Sequence, residues 1–148
     1  MKILVLHGPN LNMLGIRDTE TYGSKTLIEI DSLLYKRAER LKVTLETYQS
    51  NYEGALIDFI QENAKDASGI IINPGALTHY GLSLRDALAD TSLPIVEVHI
   101  SNIYAREQFR RKSVISPIAK GIIAGCGWRG YIAALDLLTA LEAYGIDE

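Results

Sequence analysis

The chain has 148 residues, 47% of them hydrophobic and 22% charged, with a formal net charge of -3. That length and balance describe one globular domain able to bury its own core, and exclude a disordered chain or a dedicated basic nucleic-acid binder. A single cysteine, Cys126, excludes an intrachain disulfide and a Cys-rich zinc site, and it fits a reducing compartment. The opening apolar run, residues 3–6, is too short for a signal segment or a membrane span. It reads as a first strand in a cytoplasmic protein.

Strand and helix signals alternate from there. Thr26 to Glu29 form a capping box, after which Leu27, Ile30, Leu34, Ala38 and Leu41 recur at helical spacing. Residues 43–48 form a second strand. A helix then starts near Ser50-Asn51-Tyr52-Glu53 and carries Leu56, Phe59 and Ile60. Residues 69–72 are a third strand, stopped by Asn73-Pro74-Gly75. Leu84, Ala87 and Leu88 mark another helix. Residues 95–100 and 121–124 are the fourth and fifth strands, and a helix spans about 130–143. Its faces are apolar except for Asp136, Thr139 and Glu142, so it lies in the core or meets another subunit. Five short strands alternating with helices imply a single α/β domain with a flavodoxin-like, doubly wound, five-stranded parallel sheet.

In such sheets the site lies beyond the carboxyl ends of the strands. The segments there are His7 to Asn12, Asn73 to His79, Glu97 to Asn102 and Gly125 to Gly127, and they hold all three histidines. Glu97 and His99 are two apart on one strand and share a face. A carboxylate beside an imidazole fixes its tautomer and favours its charged form, which makes a general acid. A structural ion pair is the plainer alternative. The segment 15–23, polar and glycine-bounded, has the character of a mobile lid. It carries Arg17 and Tyr22. Tyrosine, with a reference pKa of about 10, needs a nearby cation to act as a base. Read on its own, this loop is more simply an exposed segment whose tyrosine ring packs.

Arg106, Arg110, Arg111 and Lys112 form a basic cluster, read as an anion clamp for Arg106 and Arg110 and as a solvated face for the other two. Gly125 to Gly130 matches G-x-G-x-x-G, but it follows the last strand, so a tight strand-to-helix turn explains it better than a dinucleotide site. Cys126 has no base in its own segment and reads as a buried, inert thiol.

Taken together and in order, His7-Gly8-Pro9-Asn10-Leu11-Asn12, Arg17 with Tyr22-Gly23, Ile72 to Ala76, Thr78-His79, Leu84 to Leu88, Glu97 to Asn102, and Ser116-Pro117-Ile118-Ala119 with Gly121 resemble the type II 3-dehydroquinate dehydratases, the type II dehydroquinases of the shikimate pathway. The resemblance spans nearly the whole chain. It implies a flavodoxin-like lyase that removes water from 3-dehydroquinate, a ring hydroxy-ketone bearing a carboxylate, through an enolate. It implies Tyr22 as base, Arg17 as the cation that activates it, and Asn12 with the Pro9 carbonyl holding a water on the enolate. His99, oriented by Glu97, would be the acid. Asn73, the Ile100 backbone and Ser101 would hold the carboxylate end, His79 and Arg110 the hydroxyls, and Asp86 would reach a neighbouring subunit's site. It further implies a homododecamer built from trimers, no metal and no organic cofactor, while the acidic balance and the short apolar run argue against nucleic acid and membrane as partners. Leu77, Tyr80-Gly81 and Asp18-Thr19-Glu20 depart from the family's usual residues. The competing readings are a non-catalytic flavodoxin-like ligand-binding or assembly module, and a nucleotide-binding oxidoreductase using the Gly125 turn.

Overall fold

A computed structural model describes residues 1–145. Five parallel strands, β1 (Lys2–His7), β2 (Thr44–Gln49), β3 (Gly69–Asn73), β4 (Ile95–His99) and β5 (Gly121–Ala124), form one sheet in the order β2-β1-β3-β4-β5. Five helices accompany them: α1 (Thr19–Tyr22), α2 (Leu27–Leu41), α3 (Glu53–Asn63), α4 (Leu82–Asp90) and α5 (Arg129–Tyr144). This is the flavodoxin-like order expected from the sequence.

Side-chain alternation along the strands divides the core into two layers. Ile3, Val5, Ile71, Val96 and Val98 pack against α2 and α5, through Ile30 and Leu34 and through Tyr131, Ala134 and Leu138. Leu4, Leu6, Ile70, Ile72 and Ile95 pack against α3 and α4, through Leu56 and Ile60 and through Leu84 and Leu88. Strands covered on both faces must be apolar throughout, which is why β1 and β3 read as continuous hydrophobic runs. The last helix therefore belongs to the core, although Leu137 and Tyr144 remain exposed.

Local signals set the boundaries. The Thr26 hydroxyl accepts from the Glu29 amide at 3.2 Å and the Glu29 carboxylate accepts from the Thr26 amide at 2.7 Å, so the capping box is complete. Lys42 adopts a left-handed conformation and ends α2, which moves the start of β2 one residue past Val43. The ends of β1 and β3 come very close: a Cβ on Gly8 would lie 2.4 Å from the Pro74 carbonyl oxygen. Only a residue without a side chain lets these two loops cross at the sheet rim.

Candidate active site

The ends of β1, β3 and β4 open onto a cavity of about 160 Å³. Its wall includes Arg17, Tyr22, Asn73, His79, His99, Ile100, Ser101, Arg106 and Arg110, together with Pro9, Asn10 and Gly75. Eight of the eleven residues singled out by the sequence thus meet at one place. Three guanidinium groups on one small cavity suit an anionic, hydroxylated molecule.

His99 and Glu97 emerge from β4 toward the α3/α4 face. His99 Nε2 lies 2.6 Å from Glu97 Oε1, and Glu97 is completely buried. A carboxylate there requires donors, and the structure supplies them from two other segments. Thr78 donates to Oε1, Ser116 donates to Oε2 at 2.6 Å, and Ser113 lies 3.0 Å from both oxygens. Ser113 is itself held by the amides of Ile115 and Ser116 at 3.0 and 2.8 Å. Burial pushes the Glu97 carboxyl up. Hydrogen bonds from His99, Ser116 and Thr78, with the charge of the ring, outweigh that push and hold it below the ordinary carboxylate range. With Nε2 committed to Glu97, Nδ1 is the ring nitrogen left for the cavity.

Tyr22 closes the short helix α1, whose N-cap Asp18 accepts from the Thr21 amide at 3.3 Å. Its ring packs on the core, and the residue lines the cavity. The cation on that hydroxyl is Arg106, whose guanidinium donates to it at 2.9 Å and to the Ser101 hydroxyl at 3.2 Å. Both guanidinium groups lie over the ring, Arg17 at 5.1 Å and Arg106 at 5.3 Å from its centroid. Arg106 stood in the basic cluster in the sequence, but the partnership spans 84 residues and leaves no local spacing to find. Thr78, Ser113 and Ser116 were missed as supports of Glu97. The signal for them was a buried strand carboxylate, which demands hydroxyl or amide donors somewhere in the chain.

The remaining expected residues are placed as follows. His79 Nδ1 lies 2.7 Å from the Lys112 carbonyl oxygen, leaving Nε2 available to the cavity. Arg110 is braced by Glu107 at 2.7 Å. Asn12 is exposed on the turn after Asn10 and does not line the cavity. Asp86 is also outside it, on the surface of α4 with its side chain 72% exposed. The Gly125 turn is the tight strand-to-helix connection expected. Gly125 has φ of 83° and donates to the carbonyls of His99 and Ser101. The reading of Cys126 as buried is corrected: it sits at the tip of that turn and is exposed, because the turn projects past the end of the sheet. Arg106 and Arg110 do not share a continuous helix. Two short 3₁₀ turns, Ile103–Ala105 and Gln108–Arg111, carry this stretch.

A doubly wound α/β domain with an acid–base cavity beyond its strand ends, rimmed by arginines, has the form of an enzyme acting on a small anionic molecule. Residues 1–139 match the family described as Dehydroquinase class II. The chain is 63% identical over 145 residues to the 3-dehydroquinate dehydratase of Roseiflexus castenholzii, covering 98% of this chain and 92% of that one. It is 53% identical over 139 residues to the 3-dehydroquinate dehydratase of Bacillus subtilis, covering 94% of each. The crystal structure of the type II dehydroquinase from Butyrivibrio crossotus superposes with a TM-score of 0.91 at 48% identity, over 93% of this chain and 97% of that one. The chain belongs to the class II dehydroquinase family.

Proposed function

We infer that this chain is a 3-dehydroquinate dehydratase, a hydro-lyase that converts 3-dehydroquinate to 3-dehydroshikimate and so serves aromatic biosynthesis through the shikimate pathway. Family membership supports the reaction. The observation that supports its chemistry in this chain is one cavity holding both a guanidinium-bound tyrosine and a carboxylate-bound histidine.

In this reading Tyr22, as phenolate, removes the proton beside the ketone. Arg106 donates directly to its oxygen and stabilises negative charge there, while Arg17 adds its field over the ring. The C–H bonding pair moves into the ring and the ketone becomes an enolate. The enolate oxygen is held by a water between Asn12 and the Pro9 carbonyl, which suits an Asn12 that reaches the cavity only indirectly. His99 passes its proton to the departing hydroxyl, water leaves, and the enolate collapses to a conjugated enone. Glu97 keeps His99 oriented and balances its charge while it is protonated. Asn73, Ser101 and the Ile100 backbone hold the carboxylate, and His79 and Arg110 hold ring hydroxyls. No metal or organic cofactor enters these steps.

The reading extends to a homododecamer of trimers. An Asp86 that stands on an exposed helix away from its own cavity supports a role in a neighbour's site. Light scattering and an Asp86→Ala variant test that assembly. Cytoplasmic location is supported by the lone free cysteine, and no helix among the described residues is long and apolar enough to cross a membrane.

The deciding experiment follows growth of the enone absorbance from 3-dehydroquinate in the presence of a chelator. Turnover should persist with the chelator and fall in Tyr22→Phe by roughly the 10²- to 10⁴-fold that a general base contributes. A folded Tyr22→Phe protein that keeps most of its turnover would remove Tyr22 as the base.

A further inference from the structure

The loop that leaves β1 opens with a four-residue turn, Gly8-Pro9-Asn10-Leu11, closed by the Leu11 amide donating to the Gly8 carbonyl at 3.4 Å. Asn10 has φ of 69° and ψ of -4°, the values of the third position of a type II turn, and proline suits the second position. Types I and II differ in their central peptide, here Pro9–Asn10. It is turned over between them, which exchanges the directions of its carbonyl and its N–H. Type II puts the third residue in the left-handed region, which glycine fills freely and asparagine only tolerates. Type I is the form that ordinary residues favour, so a contact from outside the turn is what tips this one to type II.

The end of β2 and the residues after it supply that contact. Asn51 Oδ1 accepts from the Asn10 amide at 2.9 Å. Gln49, the last residue of β2, donates from Nε2 to the same Oδ1 at 3.1 Å and to the Gly8 carbonyl at 3.3 Å. Backbone groups fix both side-chain amides. An N–H only donates, so the Asn51 atom beside Asn10 is its oxygen. A carbonyl only accepts, so the Gln49 atom beside Gly8 is its nitrogen. The two side chains then meet nitrogen to oxygen, and every bond in the network agrees with the others. With its N–H drawn to Asn51, a trans Pro9–Asn10 peptide sends the Pro9 carbonyl the opposite way. That oxygen lies beside Gly75, where an added Cβ would be 3.0 Å from it. Pro9 and Gly75 both line the cavity, and among the described residues no backbone amide donates to the Pro9 carbonyl.

We propose that Asn51 and Gln49 are positioning residues for the reaction, holding the Pro9–Asn10 peptide in the orientation that offers its carbonyl oxygen to the cavity. The proposal rests on the reading in which that carbonyl holds the water on the enolate. Neither side chain is part of the cavity wall, so both act through the backbone of the turn. Without them the turn relaxes toward type I and the carbonyl turns away. The water then loses the acceptor that orients it at the step where negative charge develops, and the loss falls on kcat rather than on KM.

The test is steady-state kinetics with 3-dehydroquinate on the parent, Asn51→Ala, Asn51→Asp, Gln49→Leu and Asn12→Ala, with thermal melting of each. Asn51→Ala removes the acceptor from the Asn10 amide. It should lower kcat roughly five- to tenfold, the effect of one lost hydrogen bond, with KM changed less than about twofold. Gln49→Leu should act in the same direction and by less, since it leaves Asn51 in place but unbraced. Asn51→Asp keeps an oxygen for the Asn10 amide and should restore kcat to within about twofold of the parent. An Asn51→Asp protein as slow as Asn51→Ala would overturn the proposal, because the acceptor would not be what matters. If Asn12→Ala lowers kcat while folded Asn51→Ala does not, the clamp on the turn is overturned and the water on the enolate stands. If neither lowers kcat, the water itself is wrong and the clamp falls with it. If the parent does not turn over 3-dehydroquinate, the reading of the reaction fails first and takes the proposal with it. If Asn51→Ala does not fold, Gln49→Leu decides alone. A melting temperature that drops with kcat and KM unchanged would make the network structural only and overturn the proposal.

Discussion

Arg106 shows how a residue gains a role through the fold. A guanidinium 2.9 Å from the Tyr22 oxygen makes a charge-assisted hydrogen bond, whereas one over the ring contributes a weaker and less directed field. Arg106→Leu is therefore expected to lower kcat by about ten- to a hundredfold, in line with losing a hydrogen bond to a charged group. Arg17→Leu should cost less by contact with Tyr22 alone, and comparing the two kcat values checks the assignment. Glu97 acts one atom further out. Glu97→Gln keeps the shape and removes the charge that favours a protonated ring. Activity should fall most at higher pH, with the alkaline limb of kcat/KM displaced to lower pH. A profile superimposable on the parent's would reduce the Glu97–His99 pair to a structural one.

At the scale of elements, the site depends on where strands stop. β1, β3 and β4 end at His7, Asn73 and His99, so three consecutive positions across the sheet deliver a polar side chain to one rim. Gly8 and Pro74 cross immediately beyond two of these ends. Gly8→Ala would drive a methyl group into the Pro74 carbonyl, and the backbone has no flexible side chain to yield. Loss of about 1–3 kcal/mol of stability is expected, the usual range for overpacking, and urea denaturation measures it. Because the displaced loop carries Asn73, KM should rise in the fraction that folds.

Across the whole molecule, each face of the sheet carries one hydrogen-bonded polar system near the strand ends. On one face Glu97 is ionised and satisfied by three hydroxyls and a ring nitrogen. On the other, His7 joins the Asp31 carboxylate and the Tyr131 hydroxyl. Among the described residues no buried side-chain nitrogen or oxygen lacks a partner, so neither system is a defect in the core. The first couples folding to pH. The folded value for Glu97 lies below the ordinary glutamate value near about 4.3. The unfolded chain therefore binds the proton first on acidification, and the group stabilises the fold above that range. Its contribution shrinks as pH falls through the range and is lost below the folded value. The melting temperature should drop on acidification through this window, and by less in Glu97→Gln than in the parent.

The sequence by itself determined the five strands and the four longer helices, because local rules decide them, whereas the short α1 fell inside a segment read as a loop. Continuous apolar runs mark strands covered on both faces, the Thr26 capping box starts α2, and Asn73-Pro74-Gly75 stops β3. It also placed Glu97 beside His99, since a spacing of two on a strand fixes a shared face whatever the rest of the chain does. Its family motifs named the reaction before any distance was known. Contacts between distant segments were decided only by tertiary structure. Tyr22 meets Arg106 as well as Arg17, and Glu97 draws donors from Thr78, Ser113 and Ser116. His7 joins Asp31 and Tyr131 instead of entering the cavity. Cys126 lies on an exposed turn that its apolar character did not suggest. In each case the partner is fixed by which segments the sheet brings together at its rim, and no periodicity along a chain encodes a distance across a sheet.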